Sequence, residues 1–270
     1  MTMQCDTILK KLIEILQVEI ETPRSWQDFH IIWITICVAT TYLLIRHKPK
    51  NKEKYMKAVL GVFGGVALIL ETIKQVIWAY DNGIWSYQWY AAPFQLCSTP
   101  IYVSILVLFM KKCRIRDNLL SYLAYVTILG SLATAIYPEG CFVRSLFVDI
   151  HTMFLHFGAL SVSFYLLAKE VEYTRSSFWG GFRIFLIFAS IAELLNIVVF
   201  HSGILNGRTF NMFYISPYFV SALPVFNVIQ QNTPFPVFLL SYLLAIFLGS
   251  GIVFLIAKRI KTFACNKRTL

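Results

Sequence analysis

The sequence predicts an all-α, polytopic membrane protein, and three observations carry that prediction. Of its 270 residues, 57% are hydrophobic and only 14% are charged, whereas a soluble domain carries about a quarter charged residues. Mean hydropathy is +0.64. Seven stretches reach the roughly 20 predominantly apolar residues that a helix needs to cross a hydrocarbon core of about 30 Å. Together these exclude a soluble globular enzyme and a disordered chain. Six cysteines at irregular spacings form no disulfide framework.

The seven stretches lie at about 29–46, 57–80, 92–110, 118–137, 147–168, 178–200 and 237–257. Their apolar runs are continuous rather than alternating, which excludes an outer-membrane barrel. Lys and Arg set the orientation, because cytoplasmic loops are enriched in them. Eighteen fall in the loops after the first, third and fifth stretches and in the C-terminal tail, against five on the other side. Lys74 alone lies within a stretch. Seven transmembrane helices are therefore expected, with the N-terminus outside and the C-terminus in the cytoplasm. The net charge of +10 then needs no nucleic acid to explain it, since basic rims suit anionic lipid headgroups.

The remaining segments divide simply. Residues 1–28 form a tail in which Ile8, Leu12, Ile15 and Leu16 space like an amphipathic helix, lying on the outer surface or packed against the bundle. Residues 29–257 form the membrane domain, and 258–270 a basic cytoplasmic tail. Residues 201–236, rich in proline and aromatics, are too apolar for a solvated loop. If they crossed the membrane, the C-terminal basic residues would move outside. Asn211 to Ile229 is therefore expected to be half-inserted or membrane-resting on the outer side, in a position suited to a lid.

Polar residues inside spans are expensive and normally face the bundle interior. Here Glu71, Lys74 and Gln75, then Gln95, Cys97, Ser98 and Thr99, then Asp149, His151, Thr152 and His156, and finally Glu193 and Asn196, all fall in the outer half of the bilayer. A shared interior site is the economical explanation. Asp149, Thr152, His156, Ala159 and Ser163 form one stripe, from which His151 is about 140° away, so the two histidines do not share a face. On continuous helices, Cys97 would lie about 9 Å and His156 about 15 Å below the outer ends. Glu71 and Lys74, three residues apart, read as an intrahelical ion pair that lowers the cost of burying both charges. Metal, phosphate and dinucleotide motifs are absent, so no cofactor is expected.

The order of features in the middle of the chain is specific. Ala67 to Phe109 reads ALILETIKQVIWAYDNGIWSYQWYAAPFQLCSTPIYVSILVLF, which resembles the YwaF-like bacterial integral membrane family. In that family a polar second span and a Gly-x-Trp turn precede a Leu-Pro-Leu-His-Leu-Cys motif. Gly83, Trp85, Pro93, Leu96 and Cys97 match it, as do Pro138 after the fourth span, Phe154 and His156 before Gly158, and Asn211 with Met212. The resemblance covers about 60 to 260 and extends, at lower similarity, to the eukaryotic transmembrane protein 164 family. It implies a multi-pass acyltransferase of lipid metabolism, in the plasma membrane if bacterial, that moves a fatty acyl group between phospholipids. The intramembrane nucleophile falls on Cys97 and its His on His156. The family's His two residues before the Cys is Gln95 here.

On that reading His156 is the general base, and Cys97 attacks a lipid ester. The acyl group then passes to a lyso-lipid or to water. Gln95, Ser98 or Asn196 would supply oxyanion donors, Lys74 or Arg208 would hold a headgroup phosphate, and Glu71, Asp149, Glu193 and Asn211 would line the site. The rival class is a non-catalytic transporter or binder in which Glu71, Lys74, Asp149, His156 and Glu193 line a pocket for a small polar or zwitterionic ligand.

Overall fold

The computed structural model describes residues 10–81 and 84–266; Ile8, Gly83 and residues 267–270 of the basic tail lie outside them. Helix α1 spans Asp28–Arg46, with an acidic residue in its first turn and a basic one in its last, as the helix dipole favours. Helix α2, Lys52–Ala79, starts at Asn51, whose side chain accepts from the Lys54 N–H at 2.9 Å. A two-residue hairpin follows, with β1 (Tyr80–Asp81) antiparallel to β2 (Ile84–Trp85). Helix α3 is Thr99–Phe109, and α4 (Arg114–Tyr125) and α5 (Thr127–Ile136) continue one apolar stretch across a bend at Val126. Ser145 caps α6, Leu146–Lys169, and Thr174 caps α7, Arg175–His201. Helix α8, Pro224–Asn232, and α9, Phe235–Asn266, complete the chain.

Among the described residues, six helices are long and apolar enough to cross a membrane. The third expected span is not one of them. Within 92–110 only the 11 residues of α3 are helical, about 16 Å and half the hydrocarbon core. Residues 92–98 turn instead: Phe94 N–H bonds to Ala92 O, and the N–H groups of Ser98 and Thr99 both reach Gln95 O. The proline pair explains the break, since Pro93 and Pro100 each remove a helical donor and constrain the residue before. The start of α3 also lies level with the middle of α2, because a Cβ added to Gly64 would sit 3.3 Å from Ile101 O.

Helix α6 is the axis of the bundle. It packs on α1, α2, α4 and α5, and 72% of its most apolar stretch is buried, against 11% for α1 and 17% for α9. The peripheral helices turn apolar side chains such as Ile32, Leu43, Leu240 and Leu248 outward. The two ends of the bundle differ. At one, Lys57 Nζ donates to Leu108 O and Met110 O at 2.9 and 3.1 Å, and Arg116 pairs with Glu53. At the other, His30 Nε2 meets Ala135 O at 3.1 Å, and Gln17 donates to Ile77 O and Tyr80 O. The segment 10–16 is helical and packs there through Ile13, which is 2% exposed, while Leu12 and Ile15 point outward.

Small residues permit the tightest crossings. A Cβ on Gly181 in α7 would lie 2.8 Å from the Ser121 carbonyl carbon of α4, whereas one on Gly65 meets nothing within 4 Å. Gly181→Ala is therefore expected to cost about 1–3 kcal/mol. It should lower the melting temperature in detergent by several degrees, while Gly65→Ala should hold or slightly raise it.

Candidate functional site

Cys97 sits on the turn Gln95–Ser98 that opens into α3, not on a membrane-long helix as expected. A half-helix that begins inside the bundle directs the positive end of its dipole, and N–H groups that no preceding turn can satisfy, toward its first residues. Among the described residues, the backbone N–H of Cys97 has no hydrogen-bond acceptor. The Cys97 residue is partly exposed, whereas Ser98 and Thr99 are buried. Thr99 Oγ1 donates to Leu96 O at 2.8 Å and also meets Tyr122 Oη of α4, which secures the turn. The thiol lies within electrostatic range of Lys74, Glu71 and Cys141.

Glu71 is the hub beside it. Lys74 Nζ lies 2.7 Å from Oε1 and 2.9 Å from Oε2. Gln75 Nε2 donates to Oε1 at 2.7 Å and also to Ala91 O at 2.7 Å, while His151 Nε2 lies 2.9 Å from Oε2. Lys74 also sits over the Trp78 ring, 5.5 Å from its centroid. The expected ion pair is thus part of a four-residue cluster joining α2 to α6 and to the 3₁₀ turn Trp89–Ala91.

Both histidines of α6 are interior, His151 at 3% and His156 at 8% exposure. They reach different neighbours. His151 shares the face of Phe154 and Gly158, which touch Phe63 of α2. His156 shares the face of Ser163, whose Oγ donates to Leu123 O of α4. No hydrogen bond joins His156 to Cys97 among the described residues, and the buried His156 Nδ1 has no partner there. Its face points toward α4, which carries Tyr122 against the Cys97 turn. Sequence reasoning placed His151 in the shared polar layer, on a different face from His156, but gave it no role in the site. The signal it lacked was long-range, the approach of Glu71 on α2 to the His151 face of α6.

The other expected residues are occupied with structure. Gln95 Nε2 donates to Asn211 O and its Oε1 accepts from Phe213 N–H, both at 2.9 Å. Asn196 grips Met212 in the same way, Nδ2 to O at 3.1 Å and N–H to Oδ1 at 2.7 Å. Asn211 donates to Phe219 O and Val220 O and accepts from Ser216 N–H. Residues 210–213, 215 and 216 are buried, so this part of the 201–236 connection is an interior plug, while α8 has no buried residue. Asp149 accepts from Val143 N–H at 2.9 Å through one oxygen, and its other oxygen is buried without a partner. Glu193 likewise keeps one unpartnered buried oxygen. Arg208 is engaged with Tyr87 O and Ser86 Oγ.

A family model matches residues 24–254, a span that contains every one of these site residues. The chain belongs to the TMEM164 family. Membership and the six apolar helices make it an integral, multi-pass membrane protein. No curated protein and no solved structure matches the chain. For this TMEM164-family member, no cluster of three or more metal-ligating side chains occurs among the described residues.

The Glu71 cluster predicts an asymmetric stability response. Removing only the carboxylate, in Glu71→Gln, leaves Lys74 buried without its counter-charge and should cost about 3–5 kcal/mol. The double variant Glu71→Leu with Lys74→Met should recover a substantial part of that loss, read as thermal unfolding in detergent.

Proposed function

We propose that this protein transfers fatty acyl groups within the membrane, with Cys97 as nucleophile and His156 as general base. One observation carries the reading: Cys97, a partly exposed residue, stands where the interrupted third segment opens into a half-helix, with its own N–H free of any acceptor among the described residues. That N–H and the helix dipole suit an oxyanion forming on the attacked carbonyl. The Cys97 S–H proton passes to the imidazole, the sulfur bonds to the acyl carbon, and the ester C–O bond breaks. The departing lyso-lipid oxygen takes the proton back. A second lyso-lipid hydroxyl then reverses these steps, and water in its place would make the protein a hydrolase. In support, the buried His156 Nδ1 has no partner among the described residues; His151 Nδ1 has none either, but its Nε2 lies 2.9 Å from Glu71 Oε2.

The rival binder reading is weakened by the same contacts. Glu71 and Lys74 satisfy each other and their neighbours, which leaves a polar ligand only the unpartnered atoms of Asp149, His156 and Glu193. Headgroup contacts from Lys74 or Arg208 would likewise compete with bonds already made.

We also assign the finer features to this reading. Phospholipids are the partner, the chain is a YwaF-like member, and the site opens in the outer half of a bacterial plasma membrane. The N-terminus lies outside, the basic end faces the cytoplasm, and the third pass is made by α3 and its preceding turns. Cys113, exposed at the basic end, tests the orientation. A membrane-impermeant maleimide should label it only after permeabilisation, and labelling in intact cells would invert the topology.

The chemistry is tested with purified protein in vesicles containing a phosphatidylcholine whose acyl chain carries an alkyne. A hydroxylamine-sensitive label is expected on the Cys97 peptide, absent in Cys97→Ala. His156→Asn should slow labelling by about 10²-fold or more. Full lipid remodelling by Cys97→Ala would sink the enzyme reading.

A further inference from the structure

The plug against the Cys97 turn is held in an unusual backbone state. Phe213 and Tyr214 are consecutive aromatic residues with φ of +58° each, a region costing about 1–3 kcal/mol for residues other than glycine. They stay there because the backbone around them is gripped from two sides. Gln95 holds Asn211 O and Phe213 N–H, and Asn196 holds Met212 O and N–H. Phe213 is completely buried and stacks between Phe94 and Phe185. The grip matters to the thiol for a simple geometric reason: Gln95 belongs to the same turn as Cys97, two residues away. Tyr214, next to the gripped Phe213, lies within electrostatic range of Cys97.

We infer that Gln95 is a positioning residue: its side-chain amide, by bonding Asn211 O and Phe213 N–H together, locks the Cys97 turn against the plug and so fixes the thiol for acyl transfer. A primary amide presents its donor and acceptor side by side, which matches one backbone C=O and the N–H two residues on. An imidazole at the same place offers one donor and one acceptor that diverge, and it carries a proton in the physiological range. Gln95 therefore works through geometry rather than by moving a proton. The inference rests on the acyl-transfer reading for its consequence, but the lock itself has a readout of its own.

The test uses full-length protein in lipid nanodiscs, as wild type, Gln95→Met, Gln95→Glu and Asn196→Leu. Three quantities are measured: amide exchange at residues 212–214, the rate at which N-ethylmaleimide alkylates the Cys97 peptide, and the turnover and half-saturating concentration for the alkyne-tagged phosphatidylcholine. In Gln95→Met, amide exchange should rise and alkylation should quicken about threefold or more. Turnover should nonetheless fall by about 10-fold to 10²-fold, with half-saturation changed less than about twofold, as expected when a reacting group is misplaced by an ångström or less. Gln95→Glu keeps the acceptor for Phe213 N–H and should fall between Gln95→Met and wild type. Asn196→Leu should reproduce the Gln95→Met signature from the other side of the plug. The inference is overturned if exchange rises in Gln95→Met while alkylation stays within twofold of wild type. A loss of transfer expressed only in half-saturation also overturns it. If wild type never acquires an acyl label but alkylation still quickens in the variants, the acyl-transfer reading fails and the lock stands.

Discussion

A helix interrupted within hydrocarbon leaves backbone donors and acceptors that no water can meet, and every such group must find a partner inside the protein. That constraint organises the centre of this molecule. The third apolar segment spends residues 92–98 on turns and only 11 residues on helix α3. The 201–236 connection then returns buried backbone to the same level. Each irregular stretch supplies what the other lacks. Gln95 from the first pairs the backbone of the second, Asn196 of α7 completes the pairing, and Asn211 ties the plug to its own continuation. Two neutral amides do what sheet partners would do elsewhere.

The second organising element is charge. Glu71 is buried, and its carboxylate is tolerable there only because Lys74, Gln75 and His151 converge on it. The three come from two helices. Lys74 and Gln75 are one helical turn along α2, whereas His151 arrives from α6 across the bundle. The cluster therefore couples the helix that flanks the thiol to the helix that carries His156. It also holds Ala91 through Gln75, and so the start of the turn that leads to Cys97.

These two elements together account for the placement of one cysteine among several. Cys37 is buried and bonds to Phe157 O and Ser161 on the α1–α6 contact, and Cys113 stands exposed at the basic end. Among the described cysteines, Cys97 alone combines partial exposure with a position at the start of an interior half-helix. The strain at Phe213 and Tyr214 belongs to the same design, because the amide bonds that maintain it also define the wall beside the thiol.

Hydropathy and charge were sufficient to determine the membrane class, the approximate bounds of six spans, the interior placement of the polar residues and the Glu71–Lys74 pair, because each depends on local composition or on spacing along one helix. The break at 92–98 was written in Pro93 and Pro100, but its outcome was not, since prolines can also kink a helix that still spans. Long-range pairing decided the rest. That Gln95 would grip Asn211 and Phe213, that Asn196 would grip Met212, and that His151 would join Glu71 depend on residues more than 15 positions apart meeting in space. The central place of α6 decided which neighbours its two histidines meet, His151 toward α2 and His156 toward α4. Periodicity along a single helix shows which residues share a face, but only packing determines how many faces are covered and what covers them.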